Sequence, residues 1–457
     1  MESRKLSRRD MLKWMGAGTA TLALAACAPP AAAPAAGSAP AASSAASSEA
    51  APSAAPVEMH VATFAAVLHD WQREFSKRWA EQNTDVDLVI EEVIYNEMAK
   101  LQLARSASGT LWDVTFSGIK WFPFSASKGM FLNLDEHLAA RADDAQLDDF
   151  FSTALEGGKL DGSIYGLPYE IHPGNPALIA FNQDYLDEKG LDYPTDDWDV
   201  NQYADLAEAA TDKEAKIFGT SYYPGSYYDF ESLARAYDAD MLDPERKTMN
   251  FATDAANREA AQWIVDLRLK RGAAAMREEA DGLSFTSANL ATAVTGSYSV
   301  NPWATQIDGA FRHDYALFPK GPTGKRGYTA FTSNYSVSSA SVALDKAVDL
   351  LLYLTSTEAG TWSALEQGTG QPNARRSVWG NEDLLNKSHP IFRRVLEMYN
   401  TATIPGPFPM PSNLRFSELQ DNYSQTVADL FYGDLPFDEG IQATHDAMQE
   451  ILDLPRA

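Results

Sequence analysis

After residue 56, segments whose apolar residues have the two-residue period of a strand alternate with segments that have the period of a helix. Residues 57–64 alternate weakly and predict a first strand. The next segment spaces Trp71, Phe75 and Trp79 four apart, which predicts a helix over 70–82. Strand, helix and strand patterns follow at 86–93, 96–106 and 112–117. This β-α-β-α-β order predicts an open parallel α/β sheet, in which ligands bind beyond the carboxyl ends of the strands.

The second half of the chain continues the α/β pattern. Further strands are predicted at 177–182, 294–300, 315–318 and 328–337. Helices are predicted from residue 184 and at 199–210, 254–271 and 345–355, with a mostly helical tail after 358. The sequence shows neither an internal repeat nor a coiled-coil heptad run.

The first 26 residues have the features of an export signal. Ser7-Arg8-Arg9-Asp10 is a twin-arginine pattern, and an uncharged stretch of 13 residues, 14–26, follows it. That length suits a signal-peptide core and is short for a membrane span. The stretch ends Leu24-Ala25-Ala26-Cys27, which resembles a bacterial lipobox. The resemblance implies cleavage before Cys27 and lipidation of its thiol.

A low-complexity segment connects this signal to the body of the protein. Of the 29 residues from 28 to 56, 27 are Ala, Pro or Ser, so the segment cannot form a core. We expect residues 27–56 to act as a solvated linker that holds the body away from a lipid anchor. The protein is then expected to be exported and attached at the outer face of the cytoplasmic membrane, in the periplasm or at the cell surface.

Composition narrows the classes of function. The 457 residues carry a formal charge of −26, and removal of residues 1–26 would make it −29, since that segment holds five basic and two acidic residues. Such a balance argues against a nucleic-acid partner and against a highly anionic ligand. Cys27 is the single cysteine, which excludes an internal disulfide framework and a cysteine-based zinc site.

Six short motifs follow one another along the chain in the same order as in a known family. They are Trp112-Asp113-Val114, Tyr165-Gly166-Leu167-Pro168-Tyr169, Ala180-Phe181-Asn182-Gln183-Asp184-Tyr185-Leu186, Tyr193-Pro194-Thr195-Asp196-Asp197-Trp198-Asp199, Gly296-Ser297-Tyr298 and Gly370-Gln371-Pro372-Asn373-Ala374-Arg375. In order and spacing, over about 57–457, the chain resembles the extracellular solute-binding proteins of bacterial ABC importers. More narrowly, it resembles the sugar-binding family that includes maltose-binding protein.

The resemblance implies a two-lobed periplasmic-binding-protein fold with discontinuous lobes and hinge crossovers. Lobe 1 would comprise 57–167 plus 312–352, and lobe 2 would comprise 168–311 plus 353–457. The implied function is capture of a sugar or oligosaccharide in the cleft between the lobes, for import through permease subunits. We expect a monomer that uses no cofactor, binds no metal and catalyses no reaction.

Candidate site residues follow from the chemistry of a sugar. Aromatic rings cover the C–H face of a pyranose, and planar polar side chains pair with its hydroxyls. Rings are frequent in predicted loops, and the resemblance adds Glu170, the Gly296–Tyr298 loop and the 370–375 turn. The candidates are Phe64, Trp121, Tyr169, Glu170, Tyr223, Tyr227, Tyr298, Trp303, Asn334, Tyr335, Gln371, Asn373, Arg415 and Phe416. Asp113 and Asn182 are expected to hold local structure instead.

Several alternatives remain open or are set aside. The same receptor role could serve a polyamine, a peptide or another polyol. An exported carbohydrate-active enzyme would need two carboxylates facing each other across the cleft. The calcium-like spacing Asp197-x-Asp199-x-Asn201 lacks the required glycine, so helix capping is the better interpretation. The stretch 321–325 differs from a phosphate-binding loop and predicts a turn.

Overall fold

The computed structural model of the chain describes residues 55–66, 69–365, 373–400 and 410–457. The expected signal segment, Cys27 and almost all of the expected linker therefore lie outside the described residues, as does Gln371. Among the described helices, none combines the length and the apolar character needed to cross a membrane.

Strands and helices alternate through the described part of the chain. The strands are β1 Val57–Phe64, β2 Val86–Val93, β3 Val114–Gly118, β4 Lys159–Leu160, β5 Ser163–Ile164, β6 Leu167–Pro173, β7 Leu178–Asn182, β8 Thr292–Thr295, β9 His313–Leu317 and β10 Ala330–Val337. The helices of the first half are α1 Asp70–Gln82, α2 Tyr95–Ser108, α3 Phe122–Ser127, α4 Asp135–Ala140, α5 Ala142–Ala145, α6 Ser152–Glu156, α7 Gln183–Lys189, α8 Val200–Ala209 and α9 Tyr227–Ala236. Those of the second half are α10 Ala255–Leu269, α11 Val300–Ile307, α12 Leu344–Leu354, α13 Thr357–Leu365, α14 Arg376–Trp379, α15 Glu382–Lys387, α16 Ile391–Asn400, α17 Phe416–Phe431 and α18 Phe437–Leu452.

The larger sheet has the strand order β2-β1-β3-β10-β6. β1 is parallel to β2 and to β3, which confirms the parallel arrangement predicted for the first three strands. β10 is antiparallel to both β3 and β6, so the sheet as a whole is mixed, which the parallel sheet predicted from the first three strands did not include. Hydrophobic periodicity identifies a strand but not its direction, because either direction buries the same side chains.

A second sheet of three antiparallel strands has the order β8-β7-β9. The strand predicted at 294–300 is wrong after Thr295, because a 3₁₀ turn at Ser297–Ser299 and then α11 replace it. Pro302 favours the helix over the strand. The first N–H groups of a helix have no intrahelical acceptor, so proline costs no hydrogen bond there, whereas inside a sheet it would remove one from the ladder.

Strand pairing crosses two of the expected lobe boundaries, whose positions stay a prediction. β6 pairs with β10 in the larger sheet, so residues 168–173 lie with the elements assigned to lobe 1. β9 pairs with β7, so residues 313–317 lie with the elements assigned to lobe 2. Both pairings are hydrogen-bond ladders between distant segments, which periodicity cannot reveal.

Each sheet has its own group of buried side chains. The group at the larger sheet includes Phe75, Trp79 and Trp112, and the group at the smaller sheet includes Tyr203 and Tyr315. Full burial of one such side chain contributes about 1.5–3 kcal/mol to folding. The two largest groups of buried apolar side chains thus accompany the two sheets, as a two-lobed fold requires.

Several polar side chains stabilise local structure and do not line a binding site. Asp113 accepts hydrogen bonds from the His60 N–H (2.7 Å) and the Ser341 hydroxyl (2.6 Å). Asn182 caps α7 by accepting from the Tyr185 N–H at 3.0 Å. Asp199 forms a capping box with Gln202 at the start of α8, which confirms the capping interpretation of the calcium-like spacing. Residues 321–325 form a turn, as predicted.

Candidate ligand-binding site

A cavity of about 380 Å³ opens at the carboxyl ends of β1 and β3, between the larger sheet and the start of α9. This is the edge of the sheet at which the β-α-β pattern predicts a ligand. Its walls are formed by Phe64, His69, Tyr95, Lys120, Glu170, His172, Gly174, Asn175, Tyr228, Asp229, Tyr298, Phe331 and Ser333.

The two-residue period of β6 and β10 places four of their side chains on the side of the sheet that faces the cavity. Glu170 and His172 alternate along β6, and Phe331 and Ser333 alternate along β10, so each pair faces the same side. The register between these strands shifts beside Ser333, where Tyr169 is an extra residue on β6. Such bulges re-aim side chains locally, and this one lies directly before Glu170.

Aromatic rings cover two sides of the cavity. On one side, Phe64 lies 5.5 Å from Tyr95 between ring centroids. On the other side, the His172 imidazole stacks on Phe331 at 5.6 Å and meets the edge of Tyr298 at 5.7 Å. Offset and edge-on rings of this kind support one another and leave faces for an apolar part of a ligand.

Gly118 allows Tyr95 to reach this position. A Cβ atom on Gly118 would lie 2.1 Å from the Tyr95 hydroxyl oxygen and 2.9 Å from two atoms of the Trp121 ring. These distances are far below van der Waals contact, so a side chain at position 118 would displace Tyr95, Trp121 or both. The last residue of β3 is therefore glycine because a tyrosine and a tryptophan pack against it.

Glu170 is an acceptor that stays ionised despite its burial. Burial alone would raise the pKa of Glu170, but the hydrogen bond and charge of His69, together with His172 and Ser333, hold that pKa below its usual value. His69 Nε2 lies 3.5 Å from Glu170 Oε2. A carboxylate held in this way can accept hydrogen bonds from ligand hydroxyls.

His172 adds a neutral polar edge. Burial lowers the pKa of His172, against the opposing effect of Glu170 and of the hydrogen bond to Pro173. Its Nδ1 lies 3.2 Å from the Pro173 carbonyl oxygen, which can only accept, so Nδ1 carries the proton and Nε2 is the acceptor of the neutral ring.

Lys120 connects the larger sheet to α9 across the cavity. Its ammonium donates to the Tyr228 hydroxyl at 2.8 Å and lies 4.3 Å from the centroid of that ring. The same ammonium lies 5.5 Å from the Phe331 ring. Lys120 follows β3, whereas Tyr228 is in the first turn of α9, so the contact joins two separate parts of the chain.

Asp229 is the second carboxyl group of the cavity. Burial raises its pKa to about 8, although Lys120 and the side chain of Asn175 act in the opposite direction. Its Oδ1 atom is buried and, within the described residues, has no hydrogen-bond partner; the same holds for Oδ1 of Asn175.

Three of the candidates from sequence lie together at this cavity: Phe64, Glu170 and Tyr298. Others lie directly behind its walls. Trp121 packs edge-on against Tyr95 at 4.9 Å, and the Tyr169 ring lies between Trp71 and Tyr335. Asn373 donates to the Tyr169 carbonyl at 3.1 Å, so it supports the strand that carries Glu170.

The remaining described candidates lie away from the cavity walls. Tyr227 is fully buried and packs on Phe416 at 5.6 Å, and Asn334 donates to the Gly157 carbonyl at 2.8 Å. Further contacts of this group are Tyr223 with Tyr432 at 5.2 Å, Trp303 with Phe285 at 5.3 Å, and Arg415 with Glu418 at 2.6 Å. These contacts occupy the side chains in packing or in local hydrogen bonds.

Nine polar or aromatic wall residues were not among the candidates: His69, Tyr95, Lys120, His172, Asn175, Tyr228, Asp229, Phe331 and Ser333. The sequence held a signal for two of them. Positions 227, 230 and 234 repeat at a helical period and are buried, so α9 turns Tyr228 and Asp229 to another face. For the other seven, the sequence pattern gave no comparable signal.

The described residues contain no cluster of three or more His, Cys, Asp or Glu side chains that could hold a metal ion. The cavity instead offers ring faces, two carboxyl groups, an ammonium group and imidazole edges. This set can bind and orient a small polar molecule through stacking and hydrogen bonds.

Two α/β sheets with a ring-lined cavity at the strand ends define a binding protein of the two-lobed periplasmic type. The profile of the family described as bacterial extracellular solute-binding protein matches residues 65–361, and the chain belongs to this family. Residues 5–25 match the signal sequence of the twin-arginine translocation pathway, which confirms the predicted export signal.

Known proteins resemble the chain mainly in fold. A Brucella abortus protein named "Putative binding protein" is 25% identical over 291 residues, which is 61% of this chain and 66% of the relative. An ABC substrate-binding protein from Listeria monocytogenes, solved with cycloalternan, has a TM-score of 0.74 at 18% identity, over 87% of this chain and 99% of its own. A solute-binding protein from Thermotoga lettingae, solved with α-D-tagatose, has a TM-score of 0.72 at 17% identity, over 87% and 100%.

Proposed function

We propose that the protein is a lipid-anchored receptor that captures a sugar or a short oligosaccharide between its two lobes and delivers it to the permease of an ABC importer. The observation that carries the proposal is the cavity itself. Phe64 and Tyr298 bring ring faces, and the Glu170 carboxylate brings a buried acceptor, to one space at the strand ends.

The geometry suits a ligand with an apolar face and a polar rim. Rings can cover the C–H face of a sugar, while Glu170 and the Nε2 edge of His172 accept hydrogen bonds from hydroxyl groups. A ligand without these hydroxyls would leave buried acceptors unpaired, which strongly disfavours its binding. The structural relatives solved with cycloalternan and α-D-tagatose bind ligands of this kind.

The cavity volume favours a small sugar over a long chain. Small-molecule sites usually occupy roughly 300–1,000 Å³, and the value of about 380 Å³ lies near the lower end. We therefore expect one or two sugar rings, or a polyol of similar size, to fill the space.

Closure would make the bound state recognisable to a transporter. The contact between Lys120 and Tyr228 joins two parts of the cavity wall and would enclose a ligand on that side. A ligand that contacts both sides favours the closed arrangement by its difference in affinity for the closed and open states. The permease would recognise that arrangement, and the ligand would be released without covalent change.

Isothermal titration calorimetry tests the proposal. The folded domain from residue 55 onward is titrated with a panel of monosaccharides, disaccharides, longer maltodextrins and sugar alcohols. We expect saturable binding of at least one small sugar or polyol with one site per chain. Absence of binding across the panel, in a protein with a cooperative thermal transition, would reject a sugar receptor. Spermidine and a tripeptide mixture serve as the alternative ligand classes.

A further inference from the structure

Two buried oxygen atoms in the cavity wall receive no hydrogen bond from any described residue. They are Oδ1 of Asp229 and Oδ1 of Asn175, and neither has a partner within the described part of the chain. Both residues line the cavity, and the Asn175 side chain interacts with the Asp229 carboxyl group. A buried acceptor without a donor destabilises the empty site, so a ligand that supplies donors at this point gains affinity.

The charges around Asp229 leave a place for one cation. Glu170, the other carboxyl group, is already paired with His69. Lys120 directs its ammonium to the Tyr228 hydroxyl and ring, and the described residues offer it no carboxylate within salt-bridge distance. Asp229 likewise forms no ion pair with a described residue, although Lys120 is close enough to act on it electrostatically.

From this arrangement we propose that the ligand carries one protonated amino group, which binds the Asp229 carboxylate and the Asn175 amide oxygen. The ligand class is an amino sugar or an amino polyol, and the inference rests on the proposed sugar-receptor function. An ammonium group has three N–H donors and a positive charge, so it satisfies both oxygens and stabilises the ionised form of Asp229. A hydroxyl group has one donor and no charge, and leaves one of the two oxygens without a donor.

The rest of the cavity separates this class from a polyamine. Lys120 supplies one positive charge to the same space, which disfavours a ligand with several charges. The rings of Phe64 and Tyr298 provide apolar faces that suit the carbon skeleton of a sugar. One amino group on a hydroxyl-rich skeleton fits both features.

Matched ligand pairs test the inference by calorimetry near pH 7. The pairs are D-glucosamine with D-glucose, D-galactosamine with D-galactose, D-mannosamine with D-mannose, and 1-amino-1-deoxy-D-sorbitol with D-sorbitol. We expect at least one amine to bind about tenfold or more tightly than its hydroxyl parent, as one charge-assisted hydrogen bond allows. In Asp229→Asn the ratio of affinities falls to about one, whereas Glu170→Gln weakens both members of a pair and keeps the ratio.

Each outcome separates the inference from the function on which it rests. Equal or tighter binding of the hydroxyl parents, binding of neutral oligosaccharides alone, or a preference for the amine that survives in Asp229→Asn, overturns the inference and leaves the sugar receptor standing. If no sugar or polyol of either series binds, or only spermidine binds, the sugar receptor and the inference both fall. The wild-type affinity ratio is informative even if a variant fails to fold.

Discussion

The ammonium of Lys120 lies 2.8 Å from the hydroxyl oxygen of Tyr228, and this hydrogen bond connects the loop after β3 to the first turn of α9. The two residues are 108 positions apart in the chain. Both residues line the cavity, so we expect the shape of the site to depend on this bond. The charge of Lys120 over the Tyr228 ring adds a second attraction between the same two side chains.

Tyr228→Phe should weaken ligand binding by about 1 kcal/mol, because it removes the hydroxyl acceptor and keeps the ring. Lys120→Met should cost more, since it also removes the charge over the ring. The measurement is a double-mutant cycle of calorimetric affinities. A coupling energy of about 1 kcal/mol is expected, and independent, additive effects of the two substitutions would contradict the connection.

Gly118→Ala should destabilise the protein by about 1–3 kcal/mol and weaken binding, because its Cβ overlaps the Tyr95 hydroxyl. Tyr95→Phe removes the overlapping oxygen and serves as the matched partner. We expect the double variant to recover part of the free energy of unfolding, as measured by urea denaturation. No recovery in the double variant would show that the Trp121 ring, and not Tyr95, sets the packing at this glycine.

Tyr298→Ala and Trp303→Ala should affect different properties, the first ligand affinity and the second stability. The Tyr298 side chain lines the cavity and is 39% exposed, so its removal should lower affinity about five- to tenfold with little loss of stability. Trp303 packs on Phe285 at 5.3 Å outside the cavity wall, so its removal should lower the melting temperature and leave the affinity unchanged. Calorimetry and thermal denaturation of both variants decide the assignment, and a loss of affinity in Trp303→Ala would reverse it.

Asp229 should make the ligand-free protein less stable as the pH rises. Burial raises the pKa of this carboxyl group from 3.8 to about 8, so the folded state binds its proton more tightly than the unfolded state does. The stabilisation is complete below pH 4 and is lost as the pH rises through 8, at a rate of about 1.4 kcal/mol per pH unit or less. Lys120 and Asn175 are the neighbours that oppose the shift.

Urea denaturation of the wild type and of Asp229→Asn between pH 4 and 9 measures this effect. The difference between the two proteins isolates Asp229 from the other titrating groups, such as Glu170, whose lowered pKa acts in the opposite direction at acid pH. We expect the variant to gain stability relative to the wild type as the pH rises. A constant difference across the range would show that Asp229 is ionised in the folded protein.

Cys27→Ser should release the protein from the membrane fraction of the producing cells, because the thiol that would carry the lipid is lost. The expected result is recovery of the protein in the soluble exported fraction, with unchanged affinity for its ligand. Mass spectrometry of the wild-type N-terminus supplies the positive measurement. Continued membrane attachment of the variant would contradict anchoring through Cys27.

The local spacing of apolar residues was enough to predict most of the strands and helices. The alternation in 57–64 and 86–93 and the spacing of Trp71, Phe75 and Trp79 predicted β1, β2 and α1 with the bounds that the structure shows. These elements need only a neighbouring core to bury one face, so their period is visible in the sequence. The twin-arginine signal was also readable from sequence, because export machinery recognises a linear motif.

The candidate site was only partly predictable. Phe64, Glu170 and Tyr298 lie at the cavity, and each follows or belongs to an element whose position the pattern or the family resemblance gave. Lys120 and Asp229 could not be chosen among the many charged residues, because their importance comes from distant partners. Lys120 matters through Tyr228, and Asp229 through its burial beside Asn175.

By itself, the sequence determined that this chain is an exported α/β protein with aromatic loops at the ends of its strands, since periodicity, composition and a linear signal act over a few residues. The tertiary structure alone decided the antiparallel entry of β10 between β3 and β6, and with it the pairing of Glu170 with His69 and of Lys120 with Tyr228. Those relationships join segments far apart in the chain, and hydrogen bonding and burial select them only once the whole fold has formed.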